Sequence, residues 1–224
     1  MRRLTLAGLT LLAATGLTGP AMAQPSPVAA EIAPWAGFYA GVNAGGMFGS
    51  TSAGGLGPAG PGGLSGSGGG FVGGAQAGYN YLLGPVLLGA EIDFQGSTYA
   101  AGLSGGGPFG PASATAYTPW FSTFRARGGY ALGTLMPYVT GGAVWGQRTL
   151  NGGGPGLPAF SASSTYWTWT VGGGVEAKLA ERWSGKLEYL YMGTPSTPLA
   201  PGGIGVTGET TSGNLIRIGL NYHF

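Results

Sequence analysis

Apolar and polar residues alternate with a period of two along eight separate stretches of this chain, and the acidic and basic residues in those stretches share the polar register. Successive side chains of a β-strand point to opposite faces, so the pattern predicts eight strands with one apolar face each. In the first, Phe38, Ala40, Val42, Ala44 and Phe48 oppose Tyr39, Gly41, Asn43 and Gly45. The third sets Leu88, Ala90, Ile92 and Phe94 against Glu91, Asp93 and Gln95, and the fourth sets Phe124, Ala126 and Tyr130 against Thr123, Arg125 and Arg127. The second runs from Phe71 to Tyr81, and the fifth from Tyr138 to Arg148. In the sixth Trp167, Trp169, Val171 and Val175 oppose Thr168, Thr170 and Glu176, and in the seventh Leu187, Tyr189 and Tyr191 oppose Lys186 and Glu188. The last sets Ile216, Ile218, Leu220, Tyr222 and Phe224 against Arg217, Asn221 and His223.

The charges decide which face is outside. A soluble sheet turns its apolar face to the core and its charges to water. Charge on the lipid face of a membrane barrel costs about 2–4 kcal/mol near the midplane. Here the apolar faces carry no Lys, Arg, Asp or Glu at all. Only 7% of residues are charged, against roughly 25% in soluble domains, which a lipid-facing surface explains. No later stretch offers eighteen consecutive apolar residues, and a chain that spans lipid is either helical or a closed barrel. The expected fold is therefore all-β: an eight-stranded antiparallel up-and-down transmembrane β-barrel. The 50 glycines and 16 prolines would suit a disordered chain, but 12% aromatic residues would not.

The N-terminus reads as a leader. Arg2 and Arg3 precede an apolar run from Leu4 to Leu17, and Ala21-Met22-Ala23 forms a small-residue cleavage site. The expected organisation is a signal peptide over 1–23, a short periplasmic segment over 24–34 and the barrel over 35–224. Removing the leader leaves seven basic residues against seven acidic ones, which excludes a nucleic-acid partner. Links after the even strands are short, whereas Gly/Pro/Ser-rich stretches follow the odd ones, near Gly49–Gly70, Gly96–Thr118, Thr149–Ser164 and Gly193–Gly213. These are expected to be long extracellular loops opposite short periplasmic turns, with Gly54 to Gly70 a flexible, solvated one. Aromatics fall at strand ends as girdles, with Phe48, Phe71, Trp120, Trp145 and Trp167 outermost and Trp183 and Tyr222 innermost. A last strand ending in Phe224 fits recognition by the barrel-insertion machinery.

Several segments resemble the porin-family outer-membrane β-barrel domain of small opacity-like or immunogenic surface proteins, related in architecture to the transmembrane domain of outer membrane protein A. The segments are Trp35-Ala36-Gly37-Phe38-Tyr39-Ala40-Gly41, Phe71 to Asn80, Pro137 to Ala143, Trp169 to Glu176, Lys186 to Tyr191, and Asn214 to Phe224. The resemblance implies an eight-stranded barrel in the cell outer membrane, with roles in envelope integrity, adhesion or surface antigenicity. It brings no catalytic residue and no cofactor. Host or extracellular ligands would be met by the loops.

The inward charges form the one constellation with chemical content. Pairing of adjacent strands brings Glu91 and Asp93 toward Arg125 and Arg127, Glu176 toward Lys186, and Glu188 toward Arg217. An eight-stranded lumen is just wide enough for side chains to fill it, and unpaired buried ions are expensive. Two readings stay open: an ion-pair network that plugs the lumen, or a narrow or gated path that makes the chain a small porin. No enzymatic role is expected, since the single histidine, His223, lies at the periplasmic end. With one histidine and no cysteine, no transition-metal site is expected. Gly68-x-Gly70-x-x-Gly73 matches a dinucleotide loop by chance, as no helix follows it.

Overall fold

Two-residue turns with glycine first set the lower rim of the sheet. Gly84 (φ 62°) and Gly133 (φ 64°) each open a reversal in a backbone region that favours glycine, followed by Pro85 and Thr134. Such primed turns match the twist of the strands they join. A computed structural model describes residues 35–57, 60–107, 110–154, 157–195 and 206–224. The leader and periplasmic segment expected over 1–34 lie outside the described residues.

Eight strands follow one another: β1 (Gly37–Gly57), β2 (Gly60–Leu83), β3 (Val86–Gly107), β4 (Gly110–Tyr130), β5 (Leu135–Gly154), β6 (Leu157–Lys178), β7 (Trp183–Met192) and β8 (Val206–His223). Each pairs antiparallel with its neighbours in sequence, and β8 returns to β1, so the ring is a closed barrel without an edge. Trp35 and the last residue, Phe224, lie at the rim of the short turns, which therefore faces the periplasm.

The alternation holds inside the ring. Phe38, Val42, Ile92, Val139, Leu187 and Ile218 are exposed on the outer wall, while Glu91, Arg125, Glu176, Lys186 and Arg217 are buried in the lumen. A transmembrane strand needs about 9–11 residues. Strands β1 to β6 run for 20 to 24 residues, so the wall rises well above the membrane.

Above an exposed row containing Phe48, Phe71, Phe94, Trp145 and Trp167, the polarity of the wall inverts. Outward positions become Ser52, Ser65, Ser67, Thr98, Ser104, Ser113, Ser161 and Ser163, all exposed. Inward positions become Tyr99, Ala101, Leu103, Ala114, Ala116, Leu150 and Tyr166, all buried. Register irregularities at Gly96/Tyr99 and Tyr117/Trp120 sit at this boundary. Across the second, the inward positions of β4 slip from odd (Arg125, Thr123, Phe121) to even (Thr118, Ala116, Ala114), which is what a bulge does.

This corrects the expectation of long loops and of a flexible Gly54 to Gly70. Three of the four Gly/Pro/Ser-rich stretches are paired strand, with ladders reaching Gly57↔Gly60, Gly107↔Gly110 and Gly154↔Leu157. In the fourth, β8 already pairs with β1 from Val206 onward. Small residues with a weak but regular alternation suffice once the membrane part of the same hairpin has set the register.

Candidate functional site

The lumen is filled in three layers. At the periplasmic mouth, Trp35 is fully buried among Leu87, Ala131, Met136 and Tyr138. Its indole N–H donates to the Gly133 carbonyl (2.9 Å), its own carbonyl accepts from Asn80 Nδ2 (3.1 Å), and the Lys178 ammonium lies 4.6 Å from its ring centre. Trp35, two residues before β1, thus corks the barrel.

Above it lies the charge cluster. Four carboxylates (Glu91, Asp93, Glu176, Glu188) meet four cations (Arg125, Arg127, Lys186, Arg217), all with side chains at most 3% exposed. Glu91 is the hub. It accepts from Arg125 Nη2, from Lys186 Nζ at 2.8 and 2.9 Å, and from the Tyr39 hydroxyl at 2.6 Å. Arg125 also donates to Glu188 Oε1 and Asp93 Oδ2, both at 2.9 Å, and its Nε reaches Thr123. Arg217 donates to Glu188 Oε2 (2.7 Å) and Asp93 Oδ2 (2.9 Å). Arg127 donates to Glu176 Oε2 (2.8 Å) and the Tyr39 hydroxyl (2.9 Å), with its guanidinium 4.2 Å from the Tyr138 ring centre. Charge-assisted bonds of this density are what makes buried ions tolerable.

Adjacent pairing explains only part of this web. Glu91↔Arg125 and Glu188↔Arg217 are register partners whose charged ends meet. Glu176↔Lys186 are register partners too, yet their ends part. Lys186 crosses the lumen to Glu91, and Glu176 takes Arg127, Ser184 and Asn221 instead. Side chains in a barrel this narrow reach the far wall, so partners need not be neighbours.

Above the charges a third layer, apolar, contains Val72, Phe121, Val144, Leu190 and Leu215 with Met47 and Met192. Sequence reasoning missed this layer and the Trp35 cork. Part of the signal for the layer was present in the same alternation, at the inward positions Phe121, Leu190 and Leu215 lying beyond the charges of β4, β7 and β8.

Ser184, His223 and Glu176 come together but not as a nucleophilic triad. Ser184 Oγ lies 2.9 Å from His223 Nε2, and Glu176 approaches that same nitrogen at 3.6 Å. A triad needs the carboxylate on the other ring nitrogen.

On the outer wall, Phe94, Trp120, Trp145 and Trp167 form a continuous run of ring contacts, with Phe94–Trp120 and Trp145–Trp167 stacked at 5.9 and 6.0 Å and Trp120–Trp145 meeting edge to face at 5.1 Å. Near the periplasmic rim, Trp183 and Phe224 both pack against Tyr222, at 5.2 and 5.3 Å. Phe48, Phe71 and Phe224 are exposed.

An eight-stranded ring, apolar where it meets lipid and charged within, defines a transmembrane β-barrel of the bacterial outer membrane. Within that class the chain belongs to the outer membrane protein beta-barrel domain family, which it matches over residues 9–224. It is 34% identical to the 31 kDa outer-membrane immunogenic protein of Brucella melitensis over the full length of both chains. It is 30% identical to the 25 kDa outer-membrane immunogenic protein of Brucella canis, covering 97% of this chain and 95% of that one. Among solved structures it resembles the outer membrane protease OmpT from Escherichia coli in fold, with a TM-score of 0.50 at 10% identity, covering 84% of this chain and 97% of that one.

Proposed function

We propose that this chain is a non-enzymatic surface protein whose lumen is closed, so that it strengthens the outer membrane and presents its strand extensions to the outside. The observation that carries this reading is the filling of the lumen by cork, charge cluster and apolar layer in succession. Each layer would have to be displaced before a solute could pass. Its relatives are named immunogenic proteins, which supports exposure at the cell surface.

The aromatic rows, with Trp120, Trp145 and Trp167 outermost and Trp183 and Tyr222 innermost, hold the barrel at its depth in the membrane. Phe224 serves the insertion machinery, and the leader is removed after Ala23. Adhesion to a host or extracellular ligand belongs to the extensions. Liposome swelling and single-channel recording test the closed lumen. The expected result is near-zero conductance and no swelling in small sugars. Swelling that depends on solute size would establish a small porin and overturn this reading.

A further inference from the structure

We infer that Met47 and Met192 form a modification site, at which a small oxidant of the hydroperoxide class transfers oxygen to the thioethers and loosens the lumen plug. The site stands apart from the closed-lumen reading, on which only the loosening rests. Met47 of β1 and Met192 of β7 both belong to the apolar layer. They flank Gly213, since a Cβ there would lie 3.4 Å from Met47 Cε and 3.6 Å from Met192 Cβ. Both also line a partly open chamber of about 40 Å³ on the outer side of that layer, together with Thr51, Tyr99, Arg148 and Thr211. Met47 is 8% exposed and Met192 4%, whereas Met136, packed against the periplasmic cork, is 0% exposed.

Size and chemistry select the reagent. A chamber of that volume has room for about three waters. Hydrogen peroxide, uncharged and little larger than water, fits; a sugar does not. The chain has no cysteine, so methionine supplies its only sulfur. A thioether has no proton to lose before it reacts, so access decides which one is oxidised. The sulfur lone pair attacks one peroxide oxygen, and the S–O bond forms as the O–O bond breaks. The departing hydroxide takes the proton of the transferred hydroxyl and leaves as water; sulfur gives up two electrons and the peroxide gains them. A flexible apolar side chain thus becomes a polar, chiral sulfoxide. Its neighbours Val72, Phe121, Val144, Leu190 and Leu215 have no side-chain donor to offer it. A polar group without a partner is costly in such surroundings, so the layer gives way toward the chamber. The reductases that reverse methionine oxidation are far too large to follow, so the change lasts as long as the fold.

The test treats the whole barrel in lipid vesicles with dilute hydrogen peroxide, followed by digestion and mass spectrometry. Met47 and Met192 are expected to gain oxygen several-fold faster than Met136 in the folded barrel, and all three at like rates after boiling. The oxidised barrel is expected to lose its folded band in detergent gels at a lower temperature. Met47→Leu combined with Met192→Leu should keep the untreated temperature through the same treatment. Like rates at all three methionines in the folded barrel, or Met136 first, would overturn the site. An unchanged temperature once both are oxidised, or a fall that persists in the leucine variant, would overturn the loosening. The rates are read on wild-type protein, so they decide the matter of the site even if the variant does not fold. Failure of the closed-lumen reading would show separately, as conductance before any peroxide is added.

Discussion

Glycine does at the residue scale what the charges require. A Cβ on Gly78 would run into the Tyr39 ring, and one on Gly174 would lie 2.9 Å from the Tyr138 hydroxyl. On Gly219 it would press against the Lys186 stem at 3.1 Å. Each of these inward glycines makes room for a long side chain on the neighbouring strand, its own register partner. Gly78→Ala is therefore expected to destabilise the barrel by about 1–3 kcal/mol, the usual penalty for overpacking, as read from urea unfolding in lipid vesicles. Arg217→Ala leaves Glu188 and Asp93 to share Arg125 as their hydrogen-bonded cation in the lumen and should cost about 3–5 kcal/mol in the same measurement. Replacing Arg217 by Met together with Glu188 by Gln should cost less than Arg217→Ala alone. The sequence showed which residues share the lumen, because period two is a local property. It did not show that Lys186 passes over Glu176 to reach Glu91, because that choice depends on the width of the ring.

At the scale of the element, the inversion of polarity along one strand separates two environments. Leu187 is exposed on the lipid-facing wall, and Ser163 is exposed on the extension of β6. Leu187→Arg should lower stability by about 2–4 kcal/mol, whereas Ser163→Arg should stay within about 0.5 kcal/mol. Comparable losses at both positions would place the membrane boundary elsewhere. The strands within the membrane were legible because Leu, Ile, Val and Trp contrast sharply with Arg and Glu. Their continuations were not, since Ser65, Gly66, Ser67 and Gly68 offer almost no contrast and look like linker. What makes them strand is pairing with partners already held in register, as in Ser67↔Ser50 and Gly68↔Gly49. Trypsin has no Lys or Arg to cut there, so a less selective protease is needed to probe the outer hairpins. The β1–β2 hairpin is expected to resist it below the last pair, Gly57↔Gly60.

The whole molecule closes on itself in sequence order, β8 against β1, with its densest bonding across the lumen. Unboiled protein should therefore migrate apart from boiled protein in detergent gels, and Arg217→Ala should lower the temperature at which the two bands merge. The charge cluster also divides evenly along the chain. Strands β1 to β4 contribute Glu91 and Asp93 with Arg125 and Arg127; strands β5 to β8 contribute Glu176 and Glu188 with Lys186 and Arg217. Each half adds no net charge to the cluster, yet Arg125–Glu188, Arg127–Glu176, Lys186–Glu91 and Arg217–Asp93 all join one half to the other. A chain severed in the Gly133-Thr134 turn should thus yield two fragments whose cluster charges each cancel on the way into the membrane. Together they carry the instructions for finding one another.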